Sequence, residues 1–240
     1  SDHAQDASTA FTVLDGAIQD ILLAAVLQHF PAVRCIAEER TALKKRFAGN
    51  TSPYTVILDP IDGTFHFKRG DAPYHITIGL AYKGKMIASI VARPSEDKIF
   101  TAIKGEGAYV QLGKRRPRRL SLPQKPRNNS AFISSKARPH QALARPTFDP
   151  HERPIGAALV LTRLAEGKHC AYLTRQVEIY DAGPPSLIAE EAGAVCYTEV
   201  NRKPVYSQRR KFAYFVAAAN DDIAAQLFAI IRQVKRNKDT

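Results

Sequence analysis

Short apolar runs separated by glycine-containing turns fill residues 75–112, and this pattern restricts the fold more than any other feature of the chain. The runs read HITIGLAY, MIASIVARP, KIFTAI and AYVQL, and the segments KGK and KGEG stand among them. Each run has the length and the apolar character of a strand, and glycine favours the tight turns that join antiparallel neighbours. The pattern predicts an antiparallel meander, which a buried strand at YTVILD precedes.

Helices are predicted on both sides of the meander, so the expected fold class is α/β (α+β) with mixed sheets. Apolar residues at helical spacing indicate a helix from about Asp15 to Phe30, which Pro31 ends. The segment from Leu112 to Asn129 is rich in arginine and proline and is typical of a connection between lobes. Beyond it, SAFISS, HCAYL, AVCYTEV and KFAYFVAAA are predicted strands, and IGAALVLTRLAEG, PPSLIAEEAG and NDDIAAQLFAIIRQVKRNK are predicted helices.

The composition restricts the class of protein. A chain of 240 residues can bury a substantial core, and its apolar content of 45% is ordinary for a globular domain. No apolar run reaches membrane-spanning length, and the polar start SDHAQDAST has no signal pattern and no Met, which suggests an incomplete N-terminus. The cysteines Cys35, Cys170 and Cys196 show no CxxC spacing. Neither zinc nor a disulfide framework is therefore expected, and a cytoplasmic location is predicted.

The net charge of +12 raises the question of a polyanionic partner. The densest basic run is KRRPRR, from Lys114 to Arg119. It either binds a polyanion such as nucleic acid or forms a solvated loop, and the solvated loop is the simpler interpretation. No aromatic residue interrupts the run, which argues against a stacking platform for single strands.

Two aspartates close the predicted strand in the segment TVILDPIDGTFHFKRG. Asp59 stands at the strand tip, and the turn after Pro60 brings Asp62 back beside it. Carboxylates so close repel each other unless a cation lies between them, and Mg²⁺ commonly bridges carboxylates and a substrate phosphate. Gly63 lets the backbone approach a ligand, and Thr64 adds a hydroxyl and an amide where a helix begins. The spacing fits a metal-and-phosphate site, and it also fits a plain capped turn.

Other acidic residues are candidates for the same site. Glu38 and Glu39 lie about twenty residues upstream, and they are either further ligands or a solvated charge pair. Asp15 opens the first predicted helix, and Asp181 lies far downstream on a turn flanked by apolar residues. Each of these two aspartates could instead be a helix N-cap.

The segment LDPIDGT, with AEE before it and YDAG and LIAEEAGAV after it, resembles the inositol monophosphatase superfamily of Mg²⁺-dependent, lithium-sensitive phosphatases. The resemblance extends from TVLDGAIQ to about Ala219. It implies a layered αβαβα sandwich of the inositol monophosphatase / fructose-1,6-bisphosphatase type. It further implies one phosphatase domain over residues 1–240, with lobes of about 1–125 and 126–240 and the site between them. Members are commonly dimers, and they begin with another helix that this chain largely lacks.

The resemblance implies a set of metal ligands. Two or three Mg²⁺ ions would be held by Glu38, Asp59, Asp62 and Asp181, together with the backbone carbonyl of Ile61. The metals would activate the attacking water and stabilise the leaving alkoxide, so no nucleophilic side chain is needed.

The resemblance also implies catalytic and substrate-binding residues. Asp15 would hydrogen-bond Thr64, and this catalytic pair would help to activate the water. The amides of Gly63 and Thr64 would bind the phosphate. The substrate would also contact Gly156 and Ala157, in a segment where the family carries a hydroxyl that this chain lacks.

Departures from the family pattern bear on the substrate. Thr174 stands where inositol enzymes carry a glutamate, which disfavours free inositol phosphate, and Phe65-His66 and Pro184-Pro185 replace common family residues. The favoured function is a Mg²⁺-dependent phosphomonoesterase on inositol 1-phosphate or a similar small phosphate ester. One alternative is a 3′-phosphoadenosine 5′-phosphate phosphatase, for which the basic pair Lys68-Arg69 is suggestive. The others are a sugar bisphosphatase and a non-catalytic binding protein associated with RNA or transcription.

Overall fold

The strands form two separate sheets in the computed structural model, which describes residues 2–70, 73–123, 125–151, 156–198, 202–207 and 211–237. The larger sheet has seven strands that lie in chain order, and only the first pair is parallel. The predicted meander is confirmed. The strands are β1 Arg34–Ala37, β2 Tyr54–Asp62, β3 His75–Tyr82, β4 Lys85–Arg93, β5 Lys98–Ile103, β6 Gly107–Leu112 and β7 Arg118–Leu120.

A two-residue turn joins β3 to β4 and shows why glycine recurs between the strands. Lys83 and Gly84 both have positive φ, of 47° and 77°. Two consecutive positive φ values are the requirement of a type I′ turn, whose twist matches that of the flanking strands. The KGK segment therefore sets the register in which Tyr82 pairs with Lys85.

The smaller sheet has five strands in the order β11-β12-β10-β8-β9, with β8 parallel to both of its neighbours. The strands are β8 Ser130–Ile133, β9 Asp149–His151, β10 Ala171–Glu178, β11 Val195–Thr198 and β12 Lys211–Ala218. The predicted strand AVCYTEV extends to residue 200, and its last two residues lie outside the described part of the chain.

Six helices of the described residues complete the fold: α1 Asp2–His29, α2 Thr64–Arg69, α3 Arg138–Ala144, α4 Ala157–Ala165, α5 Ile179–Glu191 and α6 Asp221–Arg236. Helix α5 lies between the sheets, because it contacts strands β2 to β6 on one side and β10 to β12 on the other. Helix α4 packs beside α5, α1 packs on β2, and α3 and α6 pack against strands of the smaller sheet. The resulting order is αβαβα, and the predicted fold class is confirmed.

Helix α1 begins well before the predicted start. Asp15 does not open this helix, since α1 runs from Asp2 to His29. No proline interrupts residues 2–14, so nothing in the local sequence forces a start at Asp15. The N-cap interpretation of Asp15 is therefore wrong.

Helix α5 also begins earlier than predicted. It starts at Ile179, so Asp181 lies in its first turn and not on a turn outside it, and Glu178 is the N-cap. Pro184 and Pro185 lie within the helix, although each removes a backbone donor. The Pro184 ring packs where β3 has Gly79, whose added Cβ would lie 3.2 Å from it. Packing between the sheets thus overrides the helix-breaking tendency of the two prolines.

The predicted connection from Leu112 to Asn129 is interrupted by the edge strand β7. Its buried residue Leu120 fixes this strand on the larger sheet, where it pairs with Ala108 of β6. Among the described helices, none combines the length and the apolar character that crossing a membrane requires.

Candidate active site

Three carboxylates converge where β2 ends and α5 begins. Asp59, Asp62 and Asp181 each place one oxygen within 4.8 Å of the others. The two aspartates of β2 share a face because the ladder with β3 shifts register between them. Asp59 pairs with Thr77 and Asp62 with His75, so β2 advances by three residues while β3 advances by two. This bulge changes the side-chain alternation of a regular strand and brings both carboxylates to one side.

Helix α4 holds the carboxylate of Asp62. The amide of Ala157 donates to Asp62 Oδ1 at 3.1 Å, and the amide of Ala158 donates to Oδ2 at 2.9 Å. These are first-turn amides, which have no acceptor within the helix. A Cβ added at Gly156 would lie 2.6 Å from Asp62 Cγ, so glycine is required for this approach. The residues predicted to contact substrate, Gly156 and Ala157, therefore lie directly against a predicted metal ligand.

Glu38 joins the cluster through Asp59. Its carboxyl lies close enough to that of Asp59 for a hydrogen bond when one of the two is protonated, and Asp59 Oδ1 accepts from the amide of Ile61 at 3.0 Å. The amide of Glu38 donates to Leu58 at 3.3 Å, which extends the parallel pairing of β1 with β2. All four predicted carboxylate ligands are thus brought together, although they come from three distant parts of the chain.

Gln19 and Lys44 fix the segment that carries Glu38. The Gln19 side chain accepts from the amide of Glu39 at 2.8 Å and donates to its carbonyl at 3.1 Å. The Lys44 ammonium donates to the carbonyls of Ala37 and Glu39. Glu39 is half-buried and is not part of a freely solvated charge pair.

Burial dominates the electrostatics of the cluster. It raises the pKa of Asp62 to about 7, and it raises the pKa values of Asp59 and Asp181, which the neighbouring carboxylates raise further. Burial also raises the pKa of Glu38, although the contact with Asp59 lowers it. Carboxylates gathered in this way cannot all ionise together unless a cation balances their charge. The donors are all oxygens, which suits a hard divalent cation such as Mg²⁺ and disfavours a thiophilic one. The residues present therefore fit a magnesium ion.

The predicted catalytic pair is not joined by a hydrogen bond among the described residues. The Thr64 hydroxyl donates to the carbonyl of Ile61 at 2.9 Å, which occupies one lone pair of that predicted ligand. Asp15 Oδ1 is buried without a partner. Burial and the charge of Glu39 raise the pKa of Asp15 to about 6, while Lys68 lowers it. Asp15 therefore faces the same region as Glu39 and Lys68.

Gly63 connects β2 to α2 with a φ of 93°, which glycine adopts readily. Its carbonyl accepts from the amide of Phe67 at 3.0 Å, so α2 follows the motif directly. Arg69 lies over the ring of Phe65 at 5.5 Å. The side chain of His66, another residue of the motif, lies outside the described part.

Several residues near the site were not predicted from the sequence. Tyr172 is fully buried and lies close enough to Asp62 and Asp181 for their charges to raise its pKa, after burial itself. Arg93 and His75 are buried and hydrogen-bond each other at 2.9 Å, and His75 is the ladder partner of Asp62. No short motif marks these residues, since each belongs to an ordinary strand run.

Together, the αβαβα layers and the clustered carboxylates define a layered α/β protein with an acidic cluster at a strand end that could hold a metal ion. Comparison with known proteins identifies the family. The family model described as the inositol monophosphatase family matches residues 1–236, and the chain belongs to this family.

Curated relatives in this family carry different names. The chain is 28% identical over 202 residues to Inositol monophosphatase 2 of Rattus norvegicus, covering 79% of this chain and 68% of the relative. It is 30% identical over 186 residues to Fructose-1,6-bisphosphatase of Pyrococcus furiosus, covering 76% of this chain and 68% of that relative. It is 28% identical over 196 residues to Nus factor SuhB of Pasteurella multocida, covering 77% of this chain and 70% of that relative.

A solved structure shows the same fold. The extragenic suppressor protein suhB from Bartonella henselae superposes with a TM-score of 0.78 at 21% identity, covering 95% of this chain and 91% of that chain. At this identity the likeness establishes the fold, and the substrate has to be argued from the site itself.

Proposed function

We propose that the chain is a Mg²⁺-dependent phosphomonoesterase that hydrolyses inositol 1-phosphate or a similar small phosphate ester. The observation that carries this proposal is the convergence within 4.8 Å of Asp59 and Asp62, which are buried, with Asp181, which is half-buried. Like charges are gathered in this way at a cost in stability, which a bound cation offsets.

Each residue of the site has a role in the proposed reaction. Glu38, Asp59, Asp62 and Asp181 would hold the cations, with the Ile61 carbonyl as a further ligand. When bound, Mg²⁺ polarises the phosphoryl oxygens, makes water a better nucleophile at neutral pH and stabilises the leaving oxygen.

The catalytic and substrate-binding residues complete the proposal. Asp15 Oδ1, buried and without a partner, would accept a proton from the attacking water, and Thr64 would orient that water. The amides of Gly63 and Thr64 would bind the phosphate. Gly156 and Ala157 would border the organic part of the substrate, where α4 begins.

Cations on both sides of the carboxylates bear on the choice of substrate. Burial raises the pKa values of Asp15 and Asp181, and the charges of Lys68 and Lys136 respectively offset part of that rise, so positive charge lies near each end of the site. At the position where inositol enzymes carry a glutamate, Thr174 is buried and its hydroxyl pairs with that of Ser134 at 2.8 Å. This arrangement favours a substrate with a second anionic group, such as 3′-phosphoadenosine 5′-phosphate or fructose 1,6-bisphosphate, as the alternative substrate class.

The test is phosphate release from inositol 1-phosphate, 3′-phosphoadenosine 5′-phosphate, fructose 1,6-bisphosphate and histidinol phosphate, with Mg²⁺ and with or without Li⁺. We expect Asp59→Asn to abolish Mg²⁺-dependent release while circular dichroism remains that of the folded protein. The matched control is Asp222→Asn, which removes an exposed carboxylate on α6. Unchanged turnover in Asp59→Asn would refute the proposed mechanism.

A cytoplasmic location, lithium sensitivity, a homodimer and the division into two lobes remain predictions.

A second candidate function rests on the basic run from Lys114 to Arg119, which follows β6 and ends within β7. Lys114, Arg115, Arg116, Arg118 and Arg119 are all exposed. Among the described ion pairs none involves these five residues. Unpaired cations at a sheet edge suit the phosphate backbone of a nucleic acid, and one relative is named a Nus factor. A role in RNA binding would not depend on the carboxylates.

The second function is tested by measuring RNA binding to the protein as a function of salt concentration. RNA binding should persist in Asp59→Asn and should weaken when the four arginines of the run are changed to glutamine. The matched control neutralises four exposed cations elsewhere, namely Lys45, Arg46, Lys83 and Lys85. If both fourfold variants lose RNA binding equally, net charge alone is responsible. If neither variant loses RNA binding, the basic run is a solvated surface with no role in RNA binding.

A further inference from the structure

A buried arginine links three elements behind the carboxylates. Arg93 ends β4 and has only 1% of its surface exposed. Its Nε donates to His75 Nε2 at 2.9 Å, its Nη1 to Glu96 at 3.0 Å and its Nη2 to Thr162 Oγ1 at 2.6 Å. The guanidinium also lies over the ring of Phe100, 5.2 Å from its centroid. The rigid fork of arginine can hold three partners at fixed angles, which a lysine cannot do.

His75 is fixed in one tautomer by this contact. Arginine is a donor at every nitrogen, so Nε2 of His75 must accept, and the proton of the neutral ring lies on Nδ1. Burial and the charge of Arg93 lower the pKa of His75 to about 3, in agreement with a neutral ring. His75 is the ladder partner of Asp62, so the arginine is anchored beside the strand that carries the carboxylate.

Thr162 connects Arg93 to the first turn of α4 through two hydrogen bonds of its hydroxyl. Its hydroxyl accepts from Arg93 and donates to the carbonyl of Ala158 at 2.7 Å, one helical turn earlier. The amide of the same Ala158 donates to Asp62 Oδ2 at 2.9 Å. A continuous path therefore runs from Arg93 through Thr162 and Ala158 to the Asp62 carboxylate.

We propose that Arg93 and Thr162 are positioning residues that fix the first turn of α4 against β3, and thereby orient Asp62 for cation binding. The cation-binding part of this inference rests on the proposed function. A buried ionic group is weak evidence for a contribution to stability by itself, so the inference rests on what the group connects. Outer contacts that orient a ligand are worth about 10–100-fold in metal affinity.

The test compares Thr162→Val with Thr162→Ser in the full chain. Valine keeps the shape but removes the hydroxyl, and serine retains it. The matched control is Tyr214→Phe, which removes another buried hydroxyl, hydrogen-bonded to His140 at 3.2 Å in the smaller sheet. Arg93→Lys keeps the charge without the fork and is expected to behave like Thr162→Val.

Two measurements separate positioning from general stability. We expect amide exchange at Ala157 and Ala158, followed by NMR, to be about tenfold faster in Thr162→Val, and unchanged in Thr162→Ser and Tyr214→Phe. We also expect calorimetric Mg²⁺ affinity to fall about tenfold in Thr162→Val, with phosphate release regained at high Mg²⁺. A merely structural role would lower thermal stability without moving the Mg²⁺ dependence.

Failure of this inference can be told apart from failure of the proposed function. Wild-type exchange at both amides in folded Thr162→Val would overturn the positioning role, whether or not the site binds Mg²⁺. Faster exchange with Mg²⁺ affinity within twofold of wild type would overturn the link to cation binding. A wild-type protein that binds no Mg²⁺ would refute the proposed function and that link, while the exchange result would still decide the positioning of α4.

Discussion

Asp59 has only 1% of its surface exposed and is surrounded by other carboxylates. Burial and these neighbours raise its pKa well above the usual value, so folding must either bury its charge or take up a proton. Both lower the free energy of unfolding at neutral pH. We therefore expect Asp59→Asn, in buffer without divalent cations, to raise the melting temperature by about 2–4 °C, which corresponds to roughly 1 kcal/mol for a chain of this size.

Addition of Mg²⁺ should make the melting temperature of the wild-type protein higher than that of Asp59→Asn. A cation that binds only the folded state at one hundred times its dissociation constant stabilises it by about 2.7 kcal/mol. The wild-type protein should gain this stabilisation and Asp59→Asn should lose most of it, which differential scanning fluorimetry with and without Mg²⁺ can measure. Equal melting temperatures for the two proteins in both buffers would contradict the role of Asp59 as a ligand.

The cysteines provide a second prediction, because all three are free thiols. Burial raises the pKa of Cys35 to about 11 although Lys44 lowers it, and burial also raises the pKa of Cys170 to about 11. A raised pKa leaves little thiolate at pH 8, so iodoacetamide should modify native Cys35 roughly 100-fold more slowly than the unfolded chain. Mass spectrometry of tryptic peptides measures this rate, with protein in guanidinium chloride as the reference. Rapid labelling of native Cys35 would identify a reactive thiol close to Glu38.

Helix α4 sets a steric requirement at its first turn. Because a Cβ at Gly156 would lie 2.6 Å from Asp62 Cγ, Gly156→Ala must displace either the helix or the carboxylate. We expect at least a roughly 100-fold loss of Mg²⁺-dependent phosphate release, and destabilisation by about 1–3 kcal/mol. The control is Gly16→Ala. Gly16 lies inside helix α1, and a Cβ added there would approach Thr41 no closer than 3.7 Å, which is an ordinary contact. That change should raise stability by about 0.5–1 kcal/mol. Full activity in Gly156→Ala would show that Asp62 is not held as described.

Elements with strong local patterns were predictable, and elements defined by pairing were not. The meander was predicted because each strand has its own apolar run and a glycine turn. Strands β7 and β9 have three residues each, and no local pattern separates such pieces from a loop. Helix α3 is also short, with Pro139 near its start, and it is stabilised by packing against α6. The first boundary of α5 was wrong for the same reason, since packing admitted two prolines.

At the scale of the whole molecule, the sequence predicted some carboxylates of the candidate site more directly than others. The spacing of Asp59 and Asp62 fitted both a metal-and-phosphate site and a plain capped turn, whereas Glu38 and Asp181 were candidates that only the resemblance to the family assigned as ligands. Nothing in the sequence connected Arg93 with Thr162, which lie 69 residues apart and belong to a strand and a helix. Contacts of this kind arise from how the sheets pack on the middle helices, and no motif encodes them.

The site joins parts of the chain that belong to different layers. Asp59 and Asp62 end β2 of the larger sheet, while Asp181 belongs to α5, which packs on both sheets. A cation held by all three should therefore slow local opening of β2 and α5 together. We expect Mg²⁺ to reduce hydrogen exchange in residues 54–62 and 179–191 by a similar factor, measured by mass spectrometry, and to leave 221–236 of α6 unchanged. In Asp181→Asn, Mg²⁺ should no longer protect residues 179–191, because α5 then has no carboxylate that binds the cation. Protection confined to 54–62 in the wild-type protein would show that the cation is held by β2 alone, and that the layers are not coupled through the site.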